Sequence, residues 1–418
     1  MKNKFIFLVL IIVYSQLSAQ EYCIPHRFVD NYYFKSRDIQ LDKDIVYGQA
    51  INYKGKSEIL DLDIYYPKQS VDTLNKRPLI MLIHGGSRGD KSKMDKYCPL
   101  FAQRGFVVST INRRKGTGIN PDEIEILKEA YRALQDSHAA LRFLVSNAKE
   151  YGIDTAAVFV GGVSGGALMS TGISYMNQQD FDNRYSMITD LFGRMDNSTN
   201  ELNTKFTVKG VVDMWGQIPD TEFISFEEAQ KIPIIMFHGT ADSSRSPYEK
   251  SLQIAERYQN LGGCYQLHTK TGAGHTQGIS KYYIAEKTGC FIKRILCDSC
   301  NSFETEVDNQ NLKCNNGLFL DKTPLNRTYI KLDPTLLIHY SGTYRKRKRK
   351  ITIVVDNGQL FIQDKKSEFK AKLYPESEND FYIKEDNIQF SFHKNEKGKV
   401  TSLTFFIDAK ETNAQKKK

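Results

Sequence analysis

Residues 162–166 read Gly-Val-Ser-Gly-Gly and stand between a short apolar run ending at Val160 and a helix-forming stretch, 167–176. A serine carried on a tight strand-to-helix turn constrains the fold more than any other feature of the chain. Small neighbours let the turn close and leave the Ser164 hydroxyl facing outward. The helix N-terminus behind it offers positive partial charge, and the N–H of Gly165 is free to meet a developing oxyanion. The surrounding sequence repeats the alternation. Residues 79–83, 106–111, 157–160, 208–212, 232–237 and 265–269 are short apolar runs suited to buried parallel strands. Between the second and third, Ile124, Leu127, Tyr131, Leu134, His138, Leu141, Val145 and Ala148 recur at spacings of three and four. That spacing predicts an amphipathic helix with His138 packed on its apolar stripe. An α/β domain with a mostly parallel central sheet flanked by helices follows, with boundaries expected at 45–300.

The polar, Asn-rich stretch 178–207 interrupts the pattern, as part of a lid or as a plain surface excursion. Residues 301–331 read as a linker. From Leu332 the pattern is all β: 351–355 and 359–362 flank Asp356-Asn357-Gly358, whose Asn-Gly pair supplies the positive φ angles of a type I′ hairpin. Residues 381–383, 388–392 and 400–407 continue it, so a small antiparallel sheet or partly closed barrel is expected over 332–410, with a basic tail at 411–418.

The 418 residues allow two or three domains, and 40% apolar with 26% charged residues excludes global disorder, collagen and coiled coil. The net charge of +9 suggests an anionic partner, yet the six-residue run 345–350 and the three lysines 416–418 account for the whole surplus. The remainder is balanced, and no nucleic-acid partner is expected; the basic run reads first as a solvated strand or loop.

Lys2 and Lys4 precede an apolar run, 5–14, and then Leu17, Ser18 and Ala19, the pattern of a secretory signal peptide over 1–20. The run is short for a membrane span, which needs about 20 apolar residues; an N-terminal anchor is the alternative. A secreted or periplasmic protein is expected, with 21–44 as an N-terminal extension. Export gives weight to Cys23, Cys98, Cys264, Cys290, Cys297, Cys300 and Cys314. Four crowd into 290–314, which predicts one or two structural disulfides and at least one thiol left over. A redox motif or half a zinc site at Cys297–Cys300 is the less favoured reading.

A hydroxyl is a weak nucleophile near neutral pH, so a base must take its proton and a carboxylate must orient that base. Following the serine, Asp242 lies just past one strand-like run and His275 just past the next, at the sheet edge where Ser164 also sits. Asp213 is a rival acid; His238, His268 and His339 are rival bases, each read as structural. His84-Gly85-Gly86 directly follows the run 79–83, and glycines there let the backbone aim N–H donors at a reacting carbonyl. His84 itself reads as scaffold.

With these elements in order, residues from about 45 to 296 resemble α/β-hydrolase-fold carboxylesterases of the secreted bacterial type. The resemblance is carried by LDLDIYYP at 60–67, the His-Gly-Gly turn, RGFVVST at 104–110, ALRFLVSNAKEYGID at 140–154, the serine turn, the HGTAD stretch and the GAGH stretch. It implies Ser164 as nucleophile, His275 as base, Asp242 as orienting acid and Gly85, Gly86 and Gly165 as oxyanion donors, with no metal or organic cofactor. The implied partner is a small-molecule or polymer-attached ester. Ser87 stands where many relatives have a third glycine, and Arg113-Arg114 where a Tyr-Arg pair is common. The C-terminal residues resemble, less specifically, β modules appended to exported serine hydrolases. A serine peptidase of the same fold and a non-catalytic glycan- or surface-binding protein are the competing readings.

Overall fold

The computed structural model describes residues 22–417 apart from 30–32, 115, 119, 197, 298–299, 308–328, 347–348, 365–368, 384–387 and 408–409. The expected signal peptide, Cys314 and most of the expected linker lie outside the described residues. Nine strands make one sheet: β1 (Ile39–Ile51), β2 (Ser57–Pro67), β3 (Arg77–Ile83), β4 (Val107–Ile111), β5 (Ile153–Val163), β6 (Val208–Met214), β7 (Ile234–Gly239), β8 (Tyr265–Lys270) and β9 (Phe303–Glu306). Their order is β1-β2-β4-β3-β5-β6-β7-β8-β9. The β1–β2 and β2–β4 pairs are antiparallel, and every pair from β4 to β9 is parallel.

Side chains alternate across a strand, and here the alternation divides two cores. Leu79, Met81, Val158, Val160, Ile234 and Met236 face one, shared with the helices Glu123–Ser146, Gly165–Tyr175 and Tyr248–Leu261. Ile80, Leu82, Phe159, Val212, Ile235 and Phe237 face the other, shared with the helices Cys98–Ala102 and Lys281–Leu296. The six apolar runs seen in the sequence are six of these strands. The other three, β1, β2 and β9, lie towards the edges of the sheet. β1 exposes much of its length, so no apolar run marks it.

Three expectations change, and the choice left open for residues 178–207 falls to one of its two alternatives. The N-terminal extension is part of the core: Phe28 is fully buried, and Arg27 donates two hydrogen bonds to Asp72 at 2.7 and 2.9 Å. Residues 303–306, expected in the linker, add a ninth strand because Phe303 continues the register beside Gln266. Residues 178–207 hold a helix, Gln178–Phe192, followed by a strap tied down by Arg142, Gln135 and Asn200. That helix begins beyond the far end of Gly165–Tyr175, about 16 Å along the axis from Ser164 at 1.5 Å per residue. It is a surface excursion bound to β1 and to Glu123–Ser146. Finally, residues 411–416, expected in a basic tail, belong to a strand, Lys410–Lys416, that pairs with Val400–Ile407 and Gly342–Lys346 and closes a barrel.

That barrel comprises β10 (Gly342–Lys346), β11 (Arg349–Asp356), β12 (Gln359–Asp364), β13 (Phe369–Pro375), β14 (Asp380–Tyr382), β15 (Gln389–Lys394), β16 (Val400–Ile407) and β17 (Lys410–Lys416) in ring order. The helix Pro334–Tyr340 leads into it, and Tyr344, Ile353, Leu360, Leu373, Phe390 and Leu403 fill its interior. Asn357 (φ 48°) and Gly358 (φ 69°) both adopt the left-handed conformation that the β11–β12 hairpin requires. Cys23 bonds Cys297 and Cys264 bonds Cys300, which uses both cysteines of the suspected redox or zinc pair in separate disulfides. Cys290 is disulfide-bonded too, while buried Cys98 is not. No described helix is long and apolar enough to cross a membrane.

Candidate active site

Ser164 links β5 to the helix Gly165–Tyr175 with φ 56° and ψ −119°, a conformation costly for any residue with a side chain. Its N–H donates to the Met214 carbonyl at 2.8 Å, which holds the strained residue against β6. The flanking glycines are required by contact. A Cβ on Gly166 would lie 2.0 Å from the Ile83 carbonyl oxygen, and one on Gly162 would lie 2.3 Å from the Gly166 carbonyl carbon. The helix therefore starts directly on the end of β3, which brings Gly85 and Gly86 beside the serine.

A Cβ on Gly165 would lie 3.7 Å from the Gly86 nitrogen, so these two backbone positions border one space in front of Ser164. Gly86 takes φ 74°. Gly85 packs on the elbow itself, where a Cβ would meet the Val163 oxygen at 2.6 Å. His84 is buried with Nδ1 3.1 Å from the Gly85 carbonyl, a scaffold position. Arg113 is buried and donates through Nη2 to the Gly86 carbonyl at 2.7 Å while Nη1 pairs with Glu129 at 3.2 Å. Its guanidinium thus fixes the turn that carries Gly86. Arg114 points elsewhere, into a buried ion pair with Asp136.

The loops after β7 and β8 bring Asp242 and His275 to the same edge. They are laced together: the Ala241 N–H donates to the Ala273 carbonyl at 2.9 Å, and the Gly272 N–H to the Thr240 hydroxyl at 2.9 Å. Gly239 has no room for a Cβ, which would fall 2.3 Å from the Ala273 oxygen. His275 Nε2 lies 2.9 Å from Ser164 Oγ, and His275 Nδ1 lies 2.6 Å from Asp242 Oδ2. Burial by itself raises the Asp242 carboxyl, but hydrogen bonds from His275 and Ser244 outweigh it and hold the group below the usual range. It is an anion near neutral pH. With Asp242 accepting at Nδ1, the imidazole presents Nε2 as the acceptor for the serine proton.

Sequence reasoning missed two partners of the acid. The Ser244 N–H donates to Asp242 Oδ1 at 2.9 Å. His238, fully buried, lies 2.9 Å from Asp242 Oδ2 through Nε2 and 3.0 Å from the Ser246 carbonyl through the same nitrogen. Both of those are acceptors, so Nε2 carries the proton, and Nδ1 accepts from the Ser251 hydroxyl at 2.7 Å. Burial lowers the pKa of His238 and favours this neutral form. The one sequence signal was the spacing: His238, next to last in β7, precedes the acid by four residues.

The rivals are elsewhere. Asp213 is buried on β6, accepts from the Gly216 N–H at 2.6 Å and makes no contact with His275. Burial pushes its carboxyl up to about 7. His268 is buried against Tyr283, His138 is buried beside Phe206, and His339 sits in the helix entering the barrel. Among the described residues no group of three or more His, Cys, Asp or Glu is arranged to hold a metal ion.

Two segments of the chain match known domain families. Residues 62–231 match the BD-FAE family, a segment that contains Ser164 and the Gly85-Gly86 turn but ends before Asp242 and His275. Residues 326–416 match a domain of unknown function, DUF3471. No curated protein matches the chain. Among solved structures, a truncated carbohydrate esterase from gut microbiota is 20% identical over 64% of this chain and 98% of its own, with a TM-score of 0.45. The butyrate-bound esterase 2 of Thermogutta terrifontis is 19% identical over 63% of this chain and 95% of its own, with a TM-score of 0.44. Residues 62–231 are thus similar to the BD-FAE domain, an esterase domain of the α/β-hydrolase type, and lie in a sheet that the rest of the chain completes.

Proposed function

We propose that the protein is an exported serine carboxylesterase working through an acyl-enzyme. Ser164 Oγ attacks the ester carbonyl as His275 Nε2 takes its proton, and Asp242 stabilises the imidazolium. The tetrahedral oxyanion falls in the space bordered by the N–H groups of Gly86 and Gly165, with Gly85 shaping the turn. Collapse breaks the acyl C–O bond, and His275 returns the proton to the leaving alkoxide. Water then attacks the acyl-enzyme with His275 again as base, releasing the carboxylic acid and free Ser164. The observation that carries this reading is the continuous hydrogen-bonded line from Ser164 through His275 to Asp242. Export is supported by the leader-like residues 1–20 and by disulfides, which persist in oxidising compartments. The substrate is an ester of a carboxylic acid, either free with a short acyl chain or attached to a polysaccharide.

The test is hydrolysis of p-nitrophenyl esters of graded acyl length by residues 21–418, beside Ser164→Ala. Loss of the nucleophile is expected to cost about 10⁴ to 10⁶ in kcat. A fluorophosphonate should label the parent stoichiometrically at Ser164 and leave the variant unlabelled. Equal hydrolysis by both proteins, or no hydrolysis at any length, sinks the proposal and returns the peptidase and binding-protein readings.

A further inference from the structure

The barrel is charged asymmetrically. Among the described side chains, residues 341–374, which supply β10 to β13, carry five Lys and Arg against one Asp, whereas residues 375–418 carry five basic and five acidic groups. The second set faces the α/β domain. Glu376 pairs with Lys35 at 3.0 Å, Asp380 pairs with Arg37 at 3.0 Å, and the Ser36–Asp38 turn packs on β16. The docked wall is therefore β14 to β16. In a ring of eight strands, β11 lies directly across from β15, so the basic wall points away from the catalytic domain.

The docking point is also remote from Ser164. Asp38 accepts from the Lys68 N–H at 2.8 Å, and the neighbouring Pro67 carbonyl accepts from Arg77 at 2.9 Å. Arg77 begins β3, whose other end, Ile83, leads into the His84-Gly85-Gly86 turn. Seven residues at about 3.3 Å each put the barrel's anchor roughly 20 Å from the catalytic edge, at the opposite pole of the sheet.

On the outward wall Arg345 and Lys350 are directly paired across β10 and β11, and both are exposed. Like charges placed opposite one another destabilise a sheet, and among the described residues neither has an acidic partner, nor do Lys346 and Lys372. Tyr344, Ile353, Leu360 and Leu373 point inward, so by alternation Arg345, Lys350, Phe361, Lys370, Lys372 and Tyr374 share the outer face. Phe361 lies 4.5 Å from the Lys370 ammonium and Tyr374 lies 4.8 Å from that of Lys372, and these rings hold the two lysines against the wall. Lys370 is paired with Asp356 at 2.5 Å, so among the described residues the uncompensated cations of this face are Arg345, Lys350 and Lys372.

We propose that the outer wall of β10 to β13 is a docking surface for an acidic polysaccharide, a polymer with one carboxylate per sugar. A regular polyanion matches a rigid strand wall with cations at fixed spacing, and it relieves the Arg345–Lys350 repulsion. The disulfides argue for an oxidising compartment, where such polymers occur. Docking there tethers the enzyme while leaving the catalytic pole free.

The experiment is affinity electrophoresis of residues 21–418 through gels containing polygalacturonate, with neutral arabinoxylan and duplex DNA in parallel. Polygalacturonate should retard the protein at low salt, and about 1 M salt should abolish this, since the screening length there is only about 3 Å. The Arg345→Glu, Lys350→Glu, Lys372→Glu triple variant should bind at least about tenfold more weakly at an unchanged melting midpoint. No retardation of the parent, salt-independent retardation, equal retardation of a folded variant, or tighter binding to DNA than to polygalacturonate at equal salt overturns the proposal. The parent's own salt and polymer dependence decides the matter should the variant misfold. Binding is read without turnover, so this proposal and the esterase reading fail separately.

Discussion

At the residue scale, two buried aspartates near the same sheet edge have opposite environments, and that difference assigns their roles. Asp242 is surrounded by donors from His275, Ser244 and His238, whereas Asp213 has one, the Gly216 N–H. Asp242→Asn keeps the shape but removes the acceptor that fixes the His275 tautomer, and kcat should fall by about 10⁴. Asp213→Asn should leave ester turnover near the parent value; the reverse ranking would transfer the acid role to Asp213. The same substitution carries a pH signature. Because burial raises Asp213 from an ordinary 3.8 to about 7, folded and unfolded chains are both protonated below pH 4, and no cost arises there. Between pH 4 and 7 the unfolded chain releases a proton that the folded chain keeps, so stability falls as pH rises, by up to about 4 kcal/mol for three units. Melting midpoints of parent and Asp213→Asn should coincide near pH 4 and diverge towards pH 8, with the variant higher. Parallel curves would show that the carboxyl is not raised. Ser164, Asp242 and His275 were legible in the sequence because each follows a recognisable strand. Spacing alone hinted at His238, and nothing marked the roles of Ser244 and Arg113, because all three depend on hydrogen bonds made after the loops are in place.

At the element scale, the turn from β5 into the helix Gly165–Tyr175 does more to place the site than any single contact in it. Its geometry rests on the absence of side-chain atoms where the helix start meets the backbone at Ile83 and His84. Gly166→Ala puts a methyl 2.0 Å from the Ile83 oxygen, and backbone on both sides leaves no flexible group to yield. Overpacking of this kind costs about 1–3 kcal/mol. A shift of about 1 Å in Ser164 relative to His275 should cost about 10² in kcat. Chemical denaturation beside p-nitrophenyl acetate kinetics measures both, and wild-type turnover in the variant would mean the close approach is not real. The same scale explains what the sequence concealed. Buried parallel strands such as β3 and β7 are continuous apolar runs, but β1 and β9 each have one neighbour and β1 leaves much of its length in water, so polar residues interrupt them. Residues 411–416 looked like a tail because a barrel strand needs only alternate residues inside, and among the described side chains of Lys410–Lys416 only Ala414 is fully buried.

At the scale of the whole molecule, the two parts of the chain meet through partly buried ion pairs at the surface, and the barrel keeps its own core of Tyr340, Tyr344, Phe390 and Leu403. Pairs of that kind contribute about 0–1 kcal/mol each. The α/β domain draws its stability instead from its two cores and from the disulfide that joins Cys23 to Cys297 across 274 positions. A chain ending at residue 330 should therefore remain folded and melt close to the full-length protein. Because the barrel is anchored at the N-terminal ends of the parallel strands, and Ser164, Asp242 and His275 gather at the other ends, its kcat/KM for p-nitrophenyl acetate should be unchanged. Thermal melts and steady-state kinetics on the two lengths decide this. Loss of activity from a truncated chain that still melts cooperatively would place the barrel in the working of the catalytic edge, and the separation of poles argued from Lys35, Arg37 and Pro67 would have to be abandoned.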